Sequence, residues 1–120
     1  MIYLLDTCVL LWAIGDNKNK IKDFLPILED PSTEILVSVV SYWEITIKNS
    51  LGKLEVPDDL PVLVEQSGFT WLNLEIRHID NLKNLPSIHN DPFDRLLIAQ
   101  SQCDNLKLLT VDQTILKYFN

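Results

Sequence analysis

The sequence predicts an α/β protein: a central parallel sheet with helices on both faces. Four short apolar runs, IYLLD (2–6), EILVSVV (34–40), FTWLNL (69–74) and KLLTV (107–111), have the length of strands. They are apolar nearly throughout rather than alternating, as strands covered on both faces are. Stretches with helical spacing separate them, and regular alternation of strand and helix calls for parallel pairing. At 120 residues the chain fits one domain, 1–120, large enough to bury about two-thirds of its unfolded surface.

The first strand runs into TCVLLWAIG, a helix that ends at a Gly-Asp-Asn break, residues 15–17. Residues 20–30 read as a helix kinked or divided by Pro26, whose ring and missing N–H disrupt a helix interior. After the second strand, SYWEITIKNSLGK (41–53) has helical spacing and is stopped by Gly52. Pro57 and Pro61 bracket the start of a helix closing on Gly68, just before the third strand. EIRHIDNLKNLP (75–86) gives a short helix, Asp91 to Cys103 a longer one, and DQTILKYF follows the fourth strand.

Bulk composition excludes several classes. Hydrophobic residues at 47% and charged residues at 22% are ordinary for a soluble globular protein, and no apolar run reaches the roughly 18 residues of a membrane span. The apolar opening has no basic leader and is cut by Asp6, so it reads as structure rather than a secretion signal. Cys8 and Cys103 are too few for a disulfide framework and lack zinc-type spacing, which fits a reducing, cytoplasmic compartment. A net charge of −7 argues against coating nucleic acid by bulk electrostatics, so any nucleic-acid role is local. Lys18, Lys20 and Lys22 offer either a solvated helix face or a small basic edge.

In open α/β sheets ligands bind beyond the carboxyl ends of the strands. The polar residues expected there are nearly all acidic: Asp6 ends the first strand, Glu44 and Asp94 fall in the first turns of the helices starting at 41 and 91, and Asp112 follows KLLTV. Capping explains three of them singly. Ser41-Tyr42-Trp43-Glu44 fits a capping box, Asp91-Pro92-Phe93-Asp94 fits an Asp cap with Pro at N1 and an acid at N3, and Asp112 fits an N-cap. Asp6 resists that explanation, because a carboxylate at the end of a buried strand needs a partner. Several carboxylates in one crevice are stabilised by a hard cation such as Mg²⁺ or Mn²⁺, and without a Cys/His set the donors do not point to zinc.

YLLDTCVLLW, VSVVSYWEITIKNSLGKL, HNDPFDRLLIAQSQ and LLTVDQTI occur in that order along essentially the whole chain. With these four motifs the sequence resembles the PIN-domain ribonucleases, in particular the VapC-type toxins of bacterial toxin–antitoxin pairs. The resemblance implies a PIN-like fold and a Mg²⁺- or Mn²⁺-dependent endoribonuclease with Asp6, Glu44, Asp94 and Asp112 as metal-binding and catalytic acids. It also implies an RNA substrate, a cognate antitoxin as partner and a second copy of the chain as a candidate partner. Asp91 is assigned to capping, and Thr7 and Thr110 to hydroxyls supporting the acids. Arg95 is divided between a phosphate contact and an ion pair, His89 is read as a hydrogen-bonding surface residue, and Lys48 as a charge for substrate. Trp12 is assigned to packing, while Tyr42 and Trp43 stay open between packing and base stacking.

Two other readings compete. A haloacid-dehalogenase-like phosphatase also places an Asp after its first strand, but it needs a second acid two residues later, where this chain has Cys8. A non-catalytic module of the same fold would bind RNA or protein without cutting, against which the full set of four acids argues.

Overall fold

The computed structural model describes residues 1–15 and 17–119; Asp16, within the expected 15–17 break, lies outside them. Four strands form, β1 (Ile2–Leu5), β2 (Glu34–Ser38), β3 (Thr70–Leu72) and β4 (Lys107–Leu109), in the order β3-β2-β1-β4. Every pairing is parallel, with Leu4 opposite both Leu36 and Leu108, and Val37 opposite Trp71. This is the predicted sheet, and the chain is a single α/β domain of this architecture.

Each strand is shorter than its apolar run. β1 and β2 end where a polar side chain turns the backbone into a helix, Asp6 capping α1 (Thr7–Ile14) and Ser38 capping α3 (Val39–Ser50). β4 ends three residues before Asp112, which caps α7 (Gln113–Leu116). The expected strand at 39–40 is therefore helix. Val39 and Val40 are β-branched and read as strand, but the Ser38 hydroxyl accepts from the Val40 N–H at 3.0 Å and starts the helix there. The capping box expected at Ser41 does not form, and Glu44 lies in the second turn instead of the first.

The helix expected at 20–30 is replaced by two shorter pieces, a 3₁₀ stretch over residues 18–24 and α2 (Leu25–Leu28). The interruption sits at Ile21, whose buried side chain draws the backbone out of helical angles (φ −126°). Pro26 opens α2 instead of breaking it, because its missing N–H falls in a first turn where no intrahelical partner exists. Elsewhere the punctuation acts as expected. Gly52 and Gly68 take φ of +71° and +81° just past α3 and α4 (Leu60–Gln66), a conformation costly to any residue with a Cβ. The 75–86 segment forms α5 (Ile76–Asp80) and a 3₁₀ turn at 81–84, and α6 spans Pro92–Cys103.

Two apolar clusters sandwich the sheet. Leu4, Leu36 and Leu108 pack under Leu96, Leu97, Ile98 and Ile115 on one face. Leu5, Ile35, Val37 and Leu109 pack against Val9, Leu10, Ile45 and Val64 on the other. Strand side chains alternate between faces, which is why adjacent residues such as Leu4 and Leu5 serve opposite clusters. Burying each such side chain contributes about 1.5–3 kcal/mol. The rigid result holds the carboxyl ends of β1, β2 and β4 side by side. Among the described residues no helix is long and apolar enough to cross a membrane.

Candidate metal centre

At those strand ends lies a cleft of about 330 Å³ lined by Asp6, Glu44, Asp91, Asp94 and Asp112 together with Thr7, Cys8, Trp12 and Lys48. All four acids singled out in the sequence reach it, each from a different element. Asp6 is buried at the start of α1. Its Oδ1 accepts from the Val9 N–H (2.7 Å), and its Oδ2 accepts a short hydrogen bond from the Thr110 hydroxyl. The partner that a buried carboxylate requires is thus partly supplied within the protein. Burial still raises its pKa; the Thr110 and Val9 bonds pull the other way, and Asp112 and Glu44 add repulsion.

Glu44 is buried on the second turn of α3, with Oε1 accepting from the Thr7 hydroxyl at 2.8 Å and Oε2 paired with Lys48 Nζ at 2.6 Å. With the capping box gone, the carboxylate is held by its i+4 neighbour Lys48 and by Thr7 rather than by the helix start. Lys48, one turn on and 45% exposed at its side chain, is the cation that meets the cleft. Thr7 and Thr110 hold the acids as expected, and Thr110 also accepts from the Asp112 N–H at 3.0 Å.

The opening of α6 both caps the helix and brings Asp94 to the cleft. Asp91 caps the helix through Oδ1, which accepts from the Phe93 and Asp94 N–H groups, with Pro92 in the first turn. The Asp94 side chain, three residues after the cap, takes no part in capping; its Oδ2 meets His89 Nε2 at 2.9 Å. Burial, with repulsion from Asp91 and Glu44, pushes its carboxyl up to about 6 despite the His89 bond. Asp112 caps α7 through Oδ1, accepting from the Thr114 and Ile115 N–H groups. Capping thus accounts for one oxygen of Asp6, of Asp91 and of Asp112, and leaves Glu44 and Asp94 to other work.

Arg95 makes no ion pair among the described residues. Its guanidinium donates to the Pro86 carbonyl (2.9 Å), the His89 carbonyl (3.4 Å) and the Tyr118 hydroxyl (3.1 Å), tying the 86–89 loop to the C-terminal segment. The hydrogen bond expected of His89 is made to Asp94 at the edge of the site, and one ring nitrogen of His89 and one carboxylate oxygen each from Asp94 and Asp112 lie within 4.8 Å of one another. The adjacency of His89 to the DPFD turn was the only sequence signal for this, because the contact depends on how the 86–89 loop is held. Trp12 packs against the core and carries Lys20 Nζ 5.3 Å above its ring. Trp43 is 51% exposed and meets Phe93 edge-on, and Tyr42, 40% exposed, tilts against Trp71.

His78, Cys103 and Asp104 form the second group of donors within 4.8 Å among the described residues. It does not suit a metal. The Glu75 N–H donates to His78 Nδ1, so the ring proton sits on Nε2, which donates to Asp104 Oδ2 at 2.8 Å. Arg77 grips the same carboxylate with two bonds, making the group a latch between α5 and the end of α6.

The acid cleft, by contrast, has the donor chemistry that suits a hard divalent ion: Asp94 and Asp112 bring oxygens within 4.8 Å of each other, and Asp6 and Glu44 line the same cleft. Its donors are mainly carboxylate oxygens, and two of the acids, Asp6 and Asp94, are held above their ordinary pKa by burial and by repulsion from neighbouring acids, Glu44 in both cases, the condition a cation relieves.

Comparison with known proteins follows the same lines. The PIN-domain family model matches residues 3–118. None of the curated proteins matches the chain. Among solved structures, one similar to this chain is the crystal structure of VapBC2 from Rickettsia felis bound to a DNA fragment from their promoter. The TM-score is 0.73, over 98% of this chain and 93% of that chain, at 16% identity, a likeness of fold.

Proposed function

Because the chain belongs to the PIN-domain family, we propose that it is a metal-dependent endoribonuclease that hydrolyses RNA phosphodiester bonds, the VapC-type toxin of a toxin–antitoxin pair. The observation that carries the reading is the meeting of Asp6, Glu44, Asp94 and Asp112, from four separate elements, in one cleft at the strand ends. These four acids would hold Mg²⁺ or Mn²⁺. When bound, such an ion supplies an activated water for in-line attack and charge stabilisation for the leaving oxygen.

The chain's own groups prepare that chemistry. Thr110 fixes Asp6 Oδ2 and Thr7 fixes Glu44 Oε1, so the carboxylates are oriented before anything binds. Asp91 starts α6 and sets Asp94 at the cleft wall. The Lys48 ammonium neutralises Glu44 Oε2 and, being half-exposed, lies where a phosphate entering the cleft meets positive charge on an otherwise acidic wall. A cytoplasmic location and an antitoxin partner belong to the same reading. The antitoxin is supported by the VapBC2 neighbour, and the exposed Trp43 and Tyr42 offer apolar surface to a partner segment or to a second copy of the chain.

The test is cleavage of a mixed RNA pool by purified protein free of any partner, with Mg²⁺ or Mn²⁺, with chelator, and with Asp6→Asn in parallel. Asn keeps the cap on α1, so the variant isolates the charge. Cleavage that disappears in both controls is expected. Cleavage that survives chelation and Asp6→Asn contradicts the assignment.

A further inference from the structure

We propose that His89 supplies a nitrogen donor to this centre beside Asp94 and Asp112, and so tilts the site toward Mn²⁺ over Mg²⁺. The inference rests on the reading of the cleft as a metal centre and adds to it a ligand of different chemistry.

Distance is the first support. His89 Nε2 stands 2.9 Å from Asp94 Oδ2. Two donors in neighbouring positions around an octahedral ion, each about 2.1 Å from it, stand about 3 Å apart. The spacing between imidazole and carboxylate therefore needs little change for both to turn onto one ion, and an Asp112 oxygen is within 4.8 Å of each. Among the described residues, Asp94 Oδ1 and Asp112 Oδ2 accept no hydrogen bond, so each acid keeps an oxygen open.

The second support is how His89 is held. Its N–H donates to the Tyr118 hydroxyl at 2.8 Å and its carbonyl accepts from Arg95, which also grips Pro86 and Tyr118. Pro86, Arg95 and Tyr118, from three parts of the chain, thus fix the backbone behind a side chain that is 23% exposed and hydrogen-bonded to an acid. A surface histidine making an incidental contact has no need of that scaffold. To ligate, neutral His89 carries its proton on Nδ1 and presents the Nε2 lone pair to the ion.

The consequence is metal preference. Mg²⁺ takes oxygen almost exclusively, whereas imidazole nitrogen suits first-row transition ions, so one nitrogen in an oxygen set favours Mn²⁺ over Mg²⁺.

The test uses the wild-type protein made with ¹⁵N-histidine and loaded with Mn²⁺, read by pulsed electron paramagnetic resonance. The chain has two histidines. His78 is excluded because Nδ1 accepts from the Glu75 N–H and Nε2 donates to Asp104. A nitrogen modulation that changes when histidine alone is labelled is expected, and it would come from His89. Bound Mn²⁺ without histidine modulation overturns the inference while leaving the acid centre standing; failure to bind Mn²⁺ at all overturns both. As a second measurement, His89→Gln should weaken Mn²⁺ binding about tenfold or more and Mg²⁺ binding far less. Equal losses, or none, count against the nitrogen donor.

Discussion

Asp94 carries the clearest electrostatic signature in the molecule. Burial first, then repulsion from Asp91 and Glu44, lifts its carboxyl from 3.8 to about 6, against the pull of His89. Its folded pKa lies above its unfolded one, so in the metal-free protein its contribution to stability is full below about 3.8 and is lost as pH rises to about 6. A cation needs the ionised form, so deprotonation of Asp94 should contribute up to about a tenfold rise in Mn²⁺ affinity per pH unit below pH 6. Calorimetry across that range is the check, and in Asp94→Asn the low-pH slope should be shallower. Asp91 makes the contrast: Asp91→Asn, which keeps the α6 cap, should leave RNA cleavage within a few-fold of wild type, whereas Asp94→Asn should reduce it a hundredfold or more. Equal losses in a cleavage assay would make Asp91 a ligand. At this scale the sequence already pointed to the acids of the cleft, because Asp6 and Asp112 directly follow apolar strand runs and Asp94 stands in the first turn of a helix opened by an Asp-Pro start. It did not disclose Arg95 or His89, whose contacts run through the Pro86 carbonyl and the Tyr118 hydroxyl, groups that no local pattern connects.

The elements add a lesson about where helices begin. Val39 and Val40 carry the strand signal, but Ser38 captures the Val40 N–H and gives its own proton to the buried Gln100 Oε1 at 2.6 Å, so a tertiary contact decides the boundary. That shift of register turns Glu44 from a first-turn acid into a second-turn one over the cleft. Ser38→Ala removes a cap and orphans a buried acceptor. It should cost about 1–2 kcal/mol and lower the melting temperature by roughly 4–8 °C, whereas Ser41→Ala, at the cap position favoured by sequence pattern, should not weaken the start of α3. Thermal unfolding of the two variants separates the boundaries. The strands and α6 were legible because apolar runs and an Asp-Pro start are strong local signals. The 18–28 region was not, because the burial of Ile21 overrides its helical pattern.

At the scale of the whole molecule, a parallel four-stranded sheet with apolar clusters on both faces brings three strand ends together, and a chain of net charge −7 gathers five acids at that one edge. Such a concentration is unfavourable without a counter-charge, and Lys48 supplies one cation against five carboxylates. On the proposed function, the cleft is one cation-binding centre assembled from four elements. Its most direct test is a calorimetric Mn²⁺ titration of the folded wild-type protein beside Asp6→Asn, Glu44→Gln, Asp94→Asn and Asp112→Asn. Saturable binding in the wild type, weakened about tenfold or more by each substitution, is the predicted result. Absence of binding in the wild type, or an affinity unchanged across the four variants, would contradict it.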